Sequence, residues 1–566
     1  MRQVLLIFLV LLLYSSAEIY AQGNINNEKL HKIIRESGQA EVTVPYTTRN
    51  HVNYLSRNLS VYDLKEKLVY ISLSPLTLEW FISQDLDYSI IENKGLKGLF
   101  SATSIDQAME WDTYPTYTQY DSIMKYFSTQ YPSLCRLDTI GLSINNRLVL
   151  ALKISDNASL DEDEPEVFYS STMHGDETGG FVLMLRFIDY LLKNYSAIPE
   201  IKKLVDNLEI WINPLANPDG TYRSGNTITS PVRVNASGAD LNRRFPDPMD
   251  PSIVVPKENA DMIKFMRKHR FVISANFHGG AEVINYPWDR WYSKYHADDS
   301  WFLDISRAYA DTVHYYSGTG YMTDESNGVT RGAEWYIVYG GRQDFVTWEL
   351  QGREVTIELD RIKLTPAAQL GLLWLYNRSS LIGYLGNALY GIHGIVRDSL
   401  TYDPVRAKVY ISGHDKDSSQ VYSDTLNGSF VRMLAPGTYS LIFSAEGYKT
   451  KVVTDIEVFN YHKTDMIVDL QADLTNIEIP LPGPPKIYPN PGGSIVNFML
   501  PEALAGEISV VITSNSGTIL REFNTTNTVG VPINIDVSRL AGGSYIILFR
   551  NISTGNKSQG RFIVVK

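Results

Sequence analysis

One polar segment organises the rest of the chain: Met173-His174-Gly175-Asp176-Glu177-Thr178-Gly179-Gly180. It follows a β-prone apolar run at residues 167–169 and precedes a helix-length apolar pattern that begins with residues 181–185. The pattern predicts strand, loop and helix, with His174 and Glu177 on the loop. An imidazole and a carboxylate at this spacing can bind one divalent metal such as Zn²⁺. The alternative is a solvated loop, because a chain with 10 His contains His-x-x-Glu by chance.

Composition and charge predict a folded protein of several domains. The chain has 566 residues, of which 44% are hydrophobic and 20% are charged, so it is too long for one core and too apolar for disorder. The formal net charge of -12 argues against a nucleic-acid surface, and it favours cationic peptides as partners. A single cysteine, Cys135, excludes an intrachain disulfide, and its setting indicates a buried small hydrophobe rather than a nucleophile.

The N-terminus has the features of a secretory signal peptide over residues 1–21. Arg2 gives a positive start, an apolar run covers residues 4–13, and small residues precede a cleavage point after Ala21. The alternative is an N-terminal anchor, although the run is short for a bilayer-spanning helix. Because no later apolar run approaches the ~20 residues of such a helix, we expect no transmembrane segment. From the signal-peptide features we expect export through the periplasm.

Pattern shifts along the chain predict five further segments. Residues 22–110 mix helical and strand patterns, and the sequence does not distinguish a propeptide-like or chaperone segment from a retained accessory α+β domain. The others are an α/β domain with a mixed sheet flanked by helices at 111–390, a small all-β sandwich at 391–472, a Pro-rich linker at 473–485 and a second small all-β domain at 486–566.

Four predicted strands of the α/β domain end in polar residues. These are His174 with Glu177, the turn at residues 213–220, His278 and Glu358. In open α/β sheets, ligands bind at the carboxyl ends of the strands. A catalytic zinc needs three protein ligands and an open position, and His278 supplies the third ligand. A structural histidine would be the commoner interpretation if His278 stood alone.

Peptide hydrolysis at zinc needs a base and positive charge besides the metal ligands. Glu358 follows a β-branched run, where an acid either lies at the sheet edge or is costly to bury, and a general base is a reasonable role for it. An anionic intermediate and a terminal carboxylate both need donors or positive charge, which Arg233 and the run Asp240-Leu241-Asn242-Arg243-Arg244-Phe245 offer.

Five motifs occur in the order found in one enzyme family. They are His174-x-x-Glu177, Asn213-Pro214-Leu215-Ala216-Asn217-Pro218-Asp219-Gly220, Asp240-Leu241-Asn242-Arg243, Phe277-His278-Gly279-Gly280 and Tyr336-x-x-x-Gly340-Gly341-x-Gln343-Asp344. In these motifs the chain resembles zinc metallocarboxypeptidases of the M14 type, especially the regulatory branch similar to carboxypeptidases D, E and N. The resemblance covers about residues 114–390.

The resemblance implies one Zn²⁺ per chain, bound by His174, Glu177 and His278. It also implies that Glu358 is the base that later protonates the leaving amine, and that Arg233 stabilises the oxyanion. The family pattern of a β-branched residue before Glu-Leu selects Glu358 over two nearby acids, Glu349 and Glu354.

The same resemblance implies an exopeptidase, because Asn242, Arg243 and Tyr336 would bind the terminal carboxylate of the substrate. Tyr339 is a nearby rival for the tyrosine role, but the spacing to Gly340-Gly341 favours Tyr336.

Specificity for a C-terminal Lys or Arg depends on Asp289, which resembles the acid at the base of the family's pocket. The alternative is a surface ion pair between Asp289 and Arg290. Gln343 resembles a second pocket residue. Two departures from the family pattern have no explanation in the sequence: Arg342 replaces an apolar residue, and Glu282 follows His278 by four positions.

The two β domains also resemble known modules. Residues 391–472 look like the transthyretin-like domain that follows the catalytic domain in this branch. Residues 486–566 look like the C-terminal sorting domain of type IX secretion substrates, through Tyr488-Pro489-Asn490-Pro491, Gly543-Ser544-Tyr545 and the basic end Lys566. That similarity implies contact with the outer-membrane secretion machinery, followed by surface attachment or release.

The sequence therefore predicts a secreted zinc exopeptidase that removes C-terminal Lys or Arg from peptides and proteins. A cell-wall peptide amidase and a carboxypeptidase of other specificity are the alternatives among enzymes. A non-catalytic surface binding protein is disfavoured, because binding alone does not need Glu358. The natural substrate, the oligomeric state and the fate of residues 22–110 are left open.

Overall fold

The computed structural model describes residues 26–92, 100–318, 320–473, 483–515 and 517–566. The chain divides into two compact units, Met1–Gln471 and Ala472–Lys566. The predicted signal peptide at 1–21, and all but the ends of the predicted linker at 473–485, lie outside the described residues. Within the described ranges, no helix has the length and apolar character to cross a membrane.

The first domain is an α+β domain, as predicted. Its elements are helix α1 over residues 26–37, β1 Ala40–Pro45, α2 Arg49–Asn58, β2 Ser60–Lys65, β3 Leu68–Leu73, α3 Leu78–Ser83 and β4 Ser89–Ile91. The strands form an antiparallel sheet in the order β2-β3-β1-β4. Helix α2 begins where it does because the Thr48 side chain accepts a hydrogen bond from the His51 N–H.

The α/β domain follows, with eight strands and most of the helices. Its strands are β5 Cys135–Leu142, β6 Leu148–Ile154, β7 Glu166–Ser171, β8 Glu209–Asn213, β9 Phe271–His278, β10 Glu282–Tyr286, β11 Val329–Arg331 and β12 Arg353–Leu359. Its helical segments are α4 Ile105–Ala108, α5 Tyr117–Gln130, α6 Gly179–Asn194, α7 Pro199–Val205, α8 Pro218–Thr221, α9 Lys257–Lys268, α10 Asp299–Ser317, α11 Asp324–Gly328, α12 Gly332–Trp335, α13 Arg342–Glu349 and α14 Ala367–Gly386.

The sheet is mixed and has the order β11-β10-β12-β9-β7-β8-β6-β5. The four central strands β12, β9, β7 and β8 are mutually parallel, so their carboxyl ends lie at one edge. Glu358 on β12 is the register partner of His278 on β9. The predicted strand ends therefore meet at the same edge of the sheet.

Helices cover both faces of this sheet because the central strands are apolar on both sides. Adjacent residues of β7 point to opposite faces: Tyr169 packs in the core with α5, α6, α10 and α14, and Phe168 packs in the core with α9 and α13. Each face thus has its own hydrophobic core within the α/β domain.

The third domain is a β-sandwich that completes the first unit. Its strands are β13 Gly391–Asp398, β14 Lys408–Ile411, β15 Val421–Tyr422, β16 Ser429–Arg432, β17 Gly437–Ser444, β18 Lys451–Val458 and β19 Lys463–Leu470. Sheets β16-β13-β19 and β15-β14-β17-β18 share one apolar core. Asp298 of the α/β domain joins the two domains, because its carboxylate accepts from Arg353 and Arg432 at 2.7 Å each and contacts His414 at 2.8 Å.

The second unit is all-β, as predicted for residues 486–566. Its strands are β20 Lys486–Tyr488, β21 Ile495–Met499, β22 Gly506–Ser514, β23 Ile519–Asn527, β24 Ile533–Asp536, β25 Gly543–Asn551 and β26 Lys557–Val564. They form sheets β20-β21-β24 and β23-β22-β25-β26 around a core that includes Phe498, Phe549 and Phe562.

Candidate active site

His174, Glu177 and His278 converge at the edge where the parallel strands end. Glu177 Oε1 lies 2.9 Å from His174 Nδ1, Glu177 Oε2 lies 2.7 Å from His278 Nδ1, and the two Nδ1 atoms are 3.0 Å apart. All three side chains are buried. The loop and the strand end thus bring together three donor atoms, the number that a catalytic zinc site takes from the protein.

The opposite ring nitrogen of each histidine contacts a polar side chain, and that partner determines which tautomer can bind a metal through Nδ1. His174 Nε2 lies 3.1 Å from Asp240 Oδ1, so its proton is directed to this carboxylate and Nδ1 keeps a lone pair. His278 Nε2 lies 2.7 Å from Asn276 Nδ2, and the Asn276 oxygen has no hydrogen-bond partner among the described residues, so exchanging the nitrogen and oxygen of this amide lets the oxygen accept the ring proton. Two lone pairs and a carboxylate at such short separations repel unless a cation lies among them, so the donor set fits Zn²⁺.

Electrostatics keep His278 and Glu177 in the forms that bind a metal, whereas the pKa of His174 is raised, because burial and Arg233 are outweighed by Glu177 and Asp240. Burial lowers the pKa of His278 to about 4, so its imidazole is neutral at pH 7. Burial alone would raise the pKa of Glu177, but His174 and His278 outweigh it and hold the pKa well below its usual value. Glu177 is therefore ionised.

The loop that carries His174 is fixed by close contact with the turn that follows β8. A Cβ atom on Gly175 would lie 2.3 Å from the backbone of Gly220, so only glycine allows this approach. In the same turn, the Asn217 side chain accepts from the Gly220 N–H at 2.9 Å and donates to the Met173 carbonyl at 3.2 Å. The family-like turn thus positions the ligand loop.

Glu358 lies next to the candidate metal ligand His278, and one of its carboxylate oxygens has no partner among the described residues. Its Oε2 atom is buried without a hydrogen bond among the described residues. Burial, followed by the negative charge of Glu177, raises the pKa of Glu358 well above its ordinary value. A cation bound by Glu177 would oppose this shift. The free oxygen is available to accept a proton.

Arg233 brings a buried positive charge to the same cluster. Its Nη1 donates to Glu177 Oε1 at 3.0 Å, and its Nε donates to Asp240 Oδ2 at 2.8 Å. Burial by itself would lower the pKa of Arg233, but Asp240 and Glu177 raise it, so the guanidinium stays charged. The resemblance implies an oxyanion role for Arg233, and this location beside the ligands is compatible with that role.

Asn242 and Arg243 lie on a short 3₁₀ turn, Leu241–Arg243, that Asp240 caps. Asn242 Oδ1 accepts from the Arg342 N–H at 2.9 Å, which connects this turn to the start of α13. Arg243 Nη1 donates to the Asn242 carbonyl at 2.9 Å. The Arg243 Nε atom is buried and unpaired among the described residues, so the guanidinium retains a donor for a ligand.

The two candidate tyrosines have different surroundings. Tyr336 is buried, with 9% exposure, and its environment contains Arg243, Glu358 and Arg233. Tyr339 instead packs between two arginines, with Arg57 at 5.0 Å and Arg290 at 4.8 Å from the ring centre. These surroundings favour Tyr336 for the tyrosine role.

Asp289 is buried at 3% exposure and contacts the second predicted pocket residue. Its Oδ1 accepts from Gln343 Nε2 and Asn285 Nδ2 at 3.0 Å each. A Cβ atom on Gly332 would lie 1.7 Å from the same oxygen, so this glycine leaves the space that the carboxylate occupies. Arg290 pairs with Asp247 at 3.0 Å, which argues against the exposed Asp289–Arg290 pair.

The structure explains both departures from the family pattern. Arg342 is fully buried and pairs with Glu354 at 3.0 Å, with its guanidinium 4.9 Å from the Phe168 ring centre. Glu354 is thus the partner of Arg342 and is not a rival to Glu358. Glu282 accepts from the Met322 N–H at 3.1 Å and lies 3.4 Å from Arg361, so it fixes the loop between α10 and α11.

The sequence patterns did not predict two residues that contact the candidate histidine ligands. Asp240 binds both His174 and Arg233, and Asn276 contacts His278. Asn276 precedes His278 by two positions on β9, and the period of a strand puts both on one face, so this signal was available. The contact between Asp240 and His174 spans 66 residues and has no local signature.

Comparison with known proteins supports the same assignment. The zinc carboxypeptidase family profile matches residues 120–380, and the profile of the secretion system C-terminal sorting domain matches residues 486–566. Human carboxypeptidase D is 35% identical over 352 residues, which cover 58% of this chain and 25% of the human protein. The chain therefore spans about a quarter of that relative.

Two further matches are to proteins of more similar length. The catalytic chain of carboxypeptidase N from Rattus norvegicus is 32% identical, with 59% of this chain and 82% of the relative covered. A solved carboxypeptidase A from Helicoverpa armigera is 16% identical, with 62% and 97% covered and a TM-score of 0.48. From the profile match and the carboxypeptidase N relative, we conclude that the chain belongs to the zinc carboxypeptidase family and carries a secretion sorting domain at its C-terminal end.

Proposed function

We propose that the protein is an exported zinc exopeptidase that removes C-terminal Lys or Arg from peptides and proteins. The observation that carries the proposal is the buried carboxylate of Asp289 beside the carboxylate-binding residues. A Cβ atom on Gly341 would lie 3.6 Å from Asp289 Oδ2 and 3.9 Å from Asn242 Oδ1, so the two side chains flank this glycine. A substrate residue between them can pair its cationic end with Asp289. Its carboxylate can bind Asn242, Arg243 and Tyr336, which we call the carboxylate clamp.

The clamp makes the enzyme act at chain ends. Arg243 offers a planar guanidinium with an unpaired donor, Asn242 lies next to it, and the Tyr336 phenol is close enough to Arg243 for the arginine's charge to affect its pKa. An internal peptide bond has no carboxylate for these groups. Cleavage would therefore release a single residue from the C-terminus.

The residues around the metal cluster supply proton transfer and charge stabilisation. Bound Zn²⁺ would supply Lewis acidity, which activates water and polarises a carbonyl group. The free oxygen of Glu358 takes up the proton of the attacking water and then delivers it to the leaving amine. Arg233 offers its guanidinium to the negative charge that develops on the carbonyl oxygen.

The sorting domain and the N-terminal pattern support export. We propose that the protein passes through the periplasm and reaches the cell surface or the medium with the help of the type IX machinery. The sandwich at 391–472 has two sheets and one core, which supports a transthyretin-like domain. Peptide and protein C-termini outside the cell would be the substrates.

A carboxypeptidase of other specificity, or a cell-wall peptide amidase, is the alternative that uses the same zinc chemistry. Asp289 argues against both alternatives. In a pocket for neutral residues, a buried carboxylate that meets no cationic group of the substrate is costly. A non-catalytic binding protein is disfavoured by Glu358, since its free oxygen beside the ligands has no binding role.

The test compares peptides that differ only in the last residue. The zinc-loaded chain is incubated with peptides ending in Arg, Lys, Leu or Glu, and the products are read by mass spectrometry. We expect release of Arg and Lys, and loss of this preference in Asp289→Ala. Asp261→Ala, which alters a partly exposed ion pair with Lys257, is the matched control. A preference for Leu or Glu in the unaltered chain would overturn the basic specificity.

A further inference from the structure

Asp344 is a buried acid, 4% exposed, in the first turn of helix α13. We propose that Asp344 is a positioning residue for substrate specificity: its carboxylate fixes the main chain at Asp289 and Arg290, and so holds the Asp289 carboxylate where the cationic end of a substrate can reach it. The inference rests on the proposed preference for C-terminal Lys or Arg. It adds a residue to the determinants of that preference, beyond Asp289 and Gln343.

Both oxygens of Asp344 bind the main chain of the segment that carries Asp289. Oδ1 accepts from the Asp289 N–H at 3.0 Å, and Oδ2 accepts from the Arg290 N–H at 2.8 Å. Two consecutive N–H groups on one carboxylate fix both the position and the direction of the chain. Hydrogen bonds to an ionised acceptor are roughly twice as strong as bonds between neutral groups. A side chain with a single acceptor would leave one of these N–H groups without its partner.

The residue before Asp344 binds the side chain of Asp289. Gln343 Nε2 donates to Asp289 Oδ1 at 3.0 Å and to Asn285 Oδ1 at 3.3 Å, and Asn285 Nδ2 donates to the same Asp289 oxygen at 3.0 Å. The first turn of α13 therefore contacts Asp289 twice, once through its main chain and once through its side chain. Because Oδ1 already accepts from two amides, Oδ2 is the oxygen left for a substrate cation.

The carbonyl groups of the same segment are bound by main-chain groups. The Trp288 carbonyl accepts from the Ala333 N–H at 2.9 Å, and the Asp289 carbonyl accepts from the Val338 N–H at 3.1 Å. A change of side chain at residue 333 or 338 does not remove these bonds. Asp344 instead binds the segment through its side chain, so its contribution can be tested by substitution.

Asp344 also brings a second negative charge close to the pocket acid. Burial, followed by the charge of Asp289, raises the pKa of Asp344 well above its usual value, and the two N–H donors oppose this shift. By the same repulsion, an ionised Asp344 opposes ionisation of Asp289. Replacement of Asp344 by a neutral residue should therefore lower the pKa of Asp289. The other charged groups near this pair of acids are Arg243, Glu354, Asp247 and Arg290.

The two effects of Asp344 on the pocket have different signatures. Loss of the contacts to the N–H groups lets Asp289 move, which weakens binding of a cationic side chain at every pH. Loss of the charge lets Asp289 ionise at lower pH, which moves the pH dependence of the preference. A residue that only stabilised the fold would affect all substrates alike and would leave the pH dependence unchanged.

The test compares Asp344→Asn with the unaltered zinc-loaded chain, on two peptides that differ only in a terminal Arg or Leu. Asn has one oxygen that can accept, so one of the two N–H groups loses its partner. We expect KM for the Arg peptide to rise at least about tenfold, the usual effect of a lost hydrogen bond to a charged group, with kcat and the KM for the Leu peptide unchanged. The pH at which the Arg-to-Leu ratio of kcat/KM falls to half should be lower than in the unaltered chain.

A second buried acid provides the matched control. Asp189 on α6 accepts from Trp111 Nε1 at 3.2 Å and from Lys193 at 2.9 Å, and Asp189→Asn should leave both KM values unchanged. Should Asp344→Asn not fold, as judged by urea unfolding, Asp344→Ser takes its place. Asp344→Asn is also made in an Asp289→Ala background, where it should change neither KM because no carboxylate is left to position.

The outcomes separate this inference from the proposed function. If the unaltered chain prefers Arg and the folded Asp344 variant has the same Arg-to-Leu ratio and pH dependence, the positioning role is overturned and the exopeptidase function is unaffected. An equal loss of activity on both peptides would show that Asp344 supports the fold alone, and would also overturn the positioning role. Absence of any preference for Arg in the unaltered chain would overturn the proposed specificity, and the inference with it.

Discussion

His174 and Asp240 form a buried contact of 3.1 Å between Nε2 and Oδ1, although 66 residues separate them in the chain. The other oxygen of Asp240 accepts from Arg233. One carboxylate therefore orients both a candidate metal ligand and the arginine beside it. Burial raises the pKa of Asp240, but Arg233 and His174 outweigh it, so the pKa lies well below the usual value and the group stays ionised.

Asp240→Asn should weaken zinc binding without removing a ligand. An amide can present its N–H₂ group to His174 Nε2, which favours the wrong tautomer and turns the lone pair away from the site. Loss of such a supporting carboxylate typically costs about 10- to 100-fold in metal affinity. Zinc affinity is measured by competition with a chromophoric chelator, with Asp261→Asn as the control. Unchanged affinity in Asp240→Asn would contradict the role of this contact.

Glu358→Gln should bind zinc and peptide normally but turn over slowly. The amide preserves shape and cannot take up a proton, so kcat should fall by about 10²- to 10⁴-fold, the usual contribution of a general base. Single-turnover rates and zinc content are measured on the same preparation. Hydrolysis at the rate of the unaltered chain would show that another group acts as the base.

Preference for basic C-termini should be lost at low pH. Burial raises the pKa of Asp289 to about 6 from its ordinary value of 3.8, so the carboxylate is ionised above pH 6 and neutral below it. A cationic substrate residue needs the ionised form. The ratio of kcat/KM for peptides ending in Arg and Leu should therefore fall as pH drops from 8 to 5.

The control for this pH effect is Asp289→Asn, which has no titrating group at the position. Its Arg-to-Leu ratio should be low at every pH. A ratio in the unaltered chain that is flat across this range would contradict the assignment of Asp289 to the pocket.

Arg342→Met should destabilise the α/β domain. It leaves the carboxylate of Glu354 fully buried, with Ser274 as its remaining donor at 2.7 Å. Removal of one partner of a buried pair costs roughly 3–5 kcal/mol. The midpoint of urea unfolding, followed by tryptophan fluorescence, should decrease. Arg342→Met/Glu354→Gln should recover most of the loss, and failure to recover would show that Arg342 acts mainly through packing.

The sequence predicts much of the fold because the central strands of a parallel sheet are continuous apolar runs. The β-prone run at residues 167–169 lies within β7 Glu166–Ser171, and the helical pattern that begins with residues 181–185 lies within α6 Gly179–Asn194. The cluster of His174, Glu177 and His278 was predictable for a related reason, since parallel strands end at one edge.

What the sequence does not predict depends on contacts between distant segments. The hydrogen bond between Arg243 and the Val61 carbonyl joins positions 182 residues apart. No local pattern in strand β2 identifies this carbonyl as a partner of Arg243. Arg342 was unexplained for the same reason, because its partner Glu354 lies on the adjacent strand β12 and appeared to be one of several acids in a row. Such pairs can be recognised only in the folded structure, where helix α13 lies next to strand β12.

The most direct test of the account is mass spectrometry of one peptide ending in Arg, with its C-terminal amide as the control. The zinc-loaded chain is incubated with each peptide, with and without a chelator. The account predicts loss of the single terminal Arg from the free acid, with no cleavage of the amide and none after chelation. Internal cleavage, cleavage of the amide at an equal rate, or an intact free-acid peptide would contradict it.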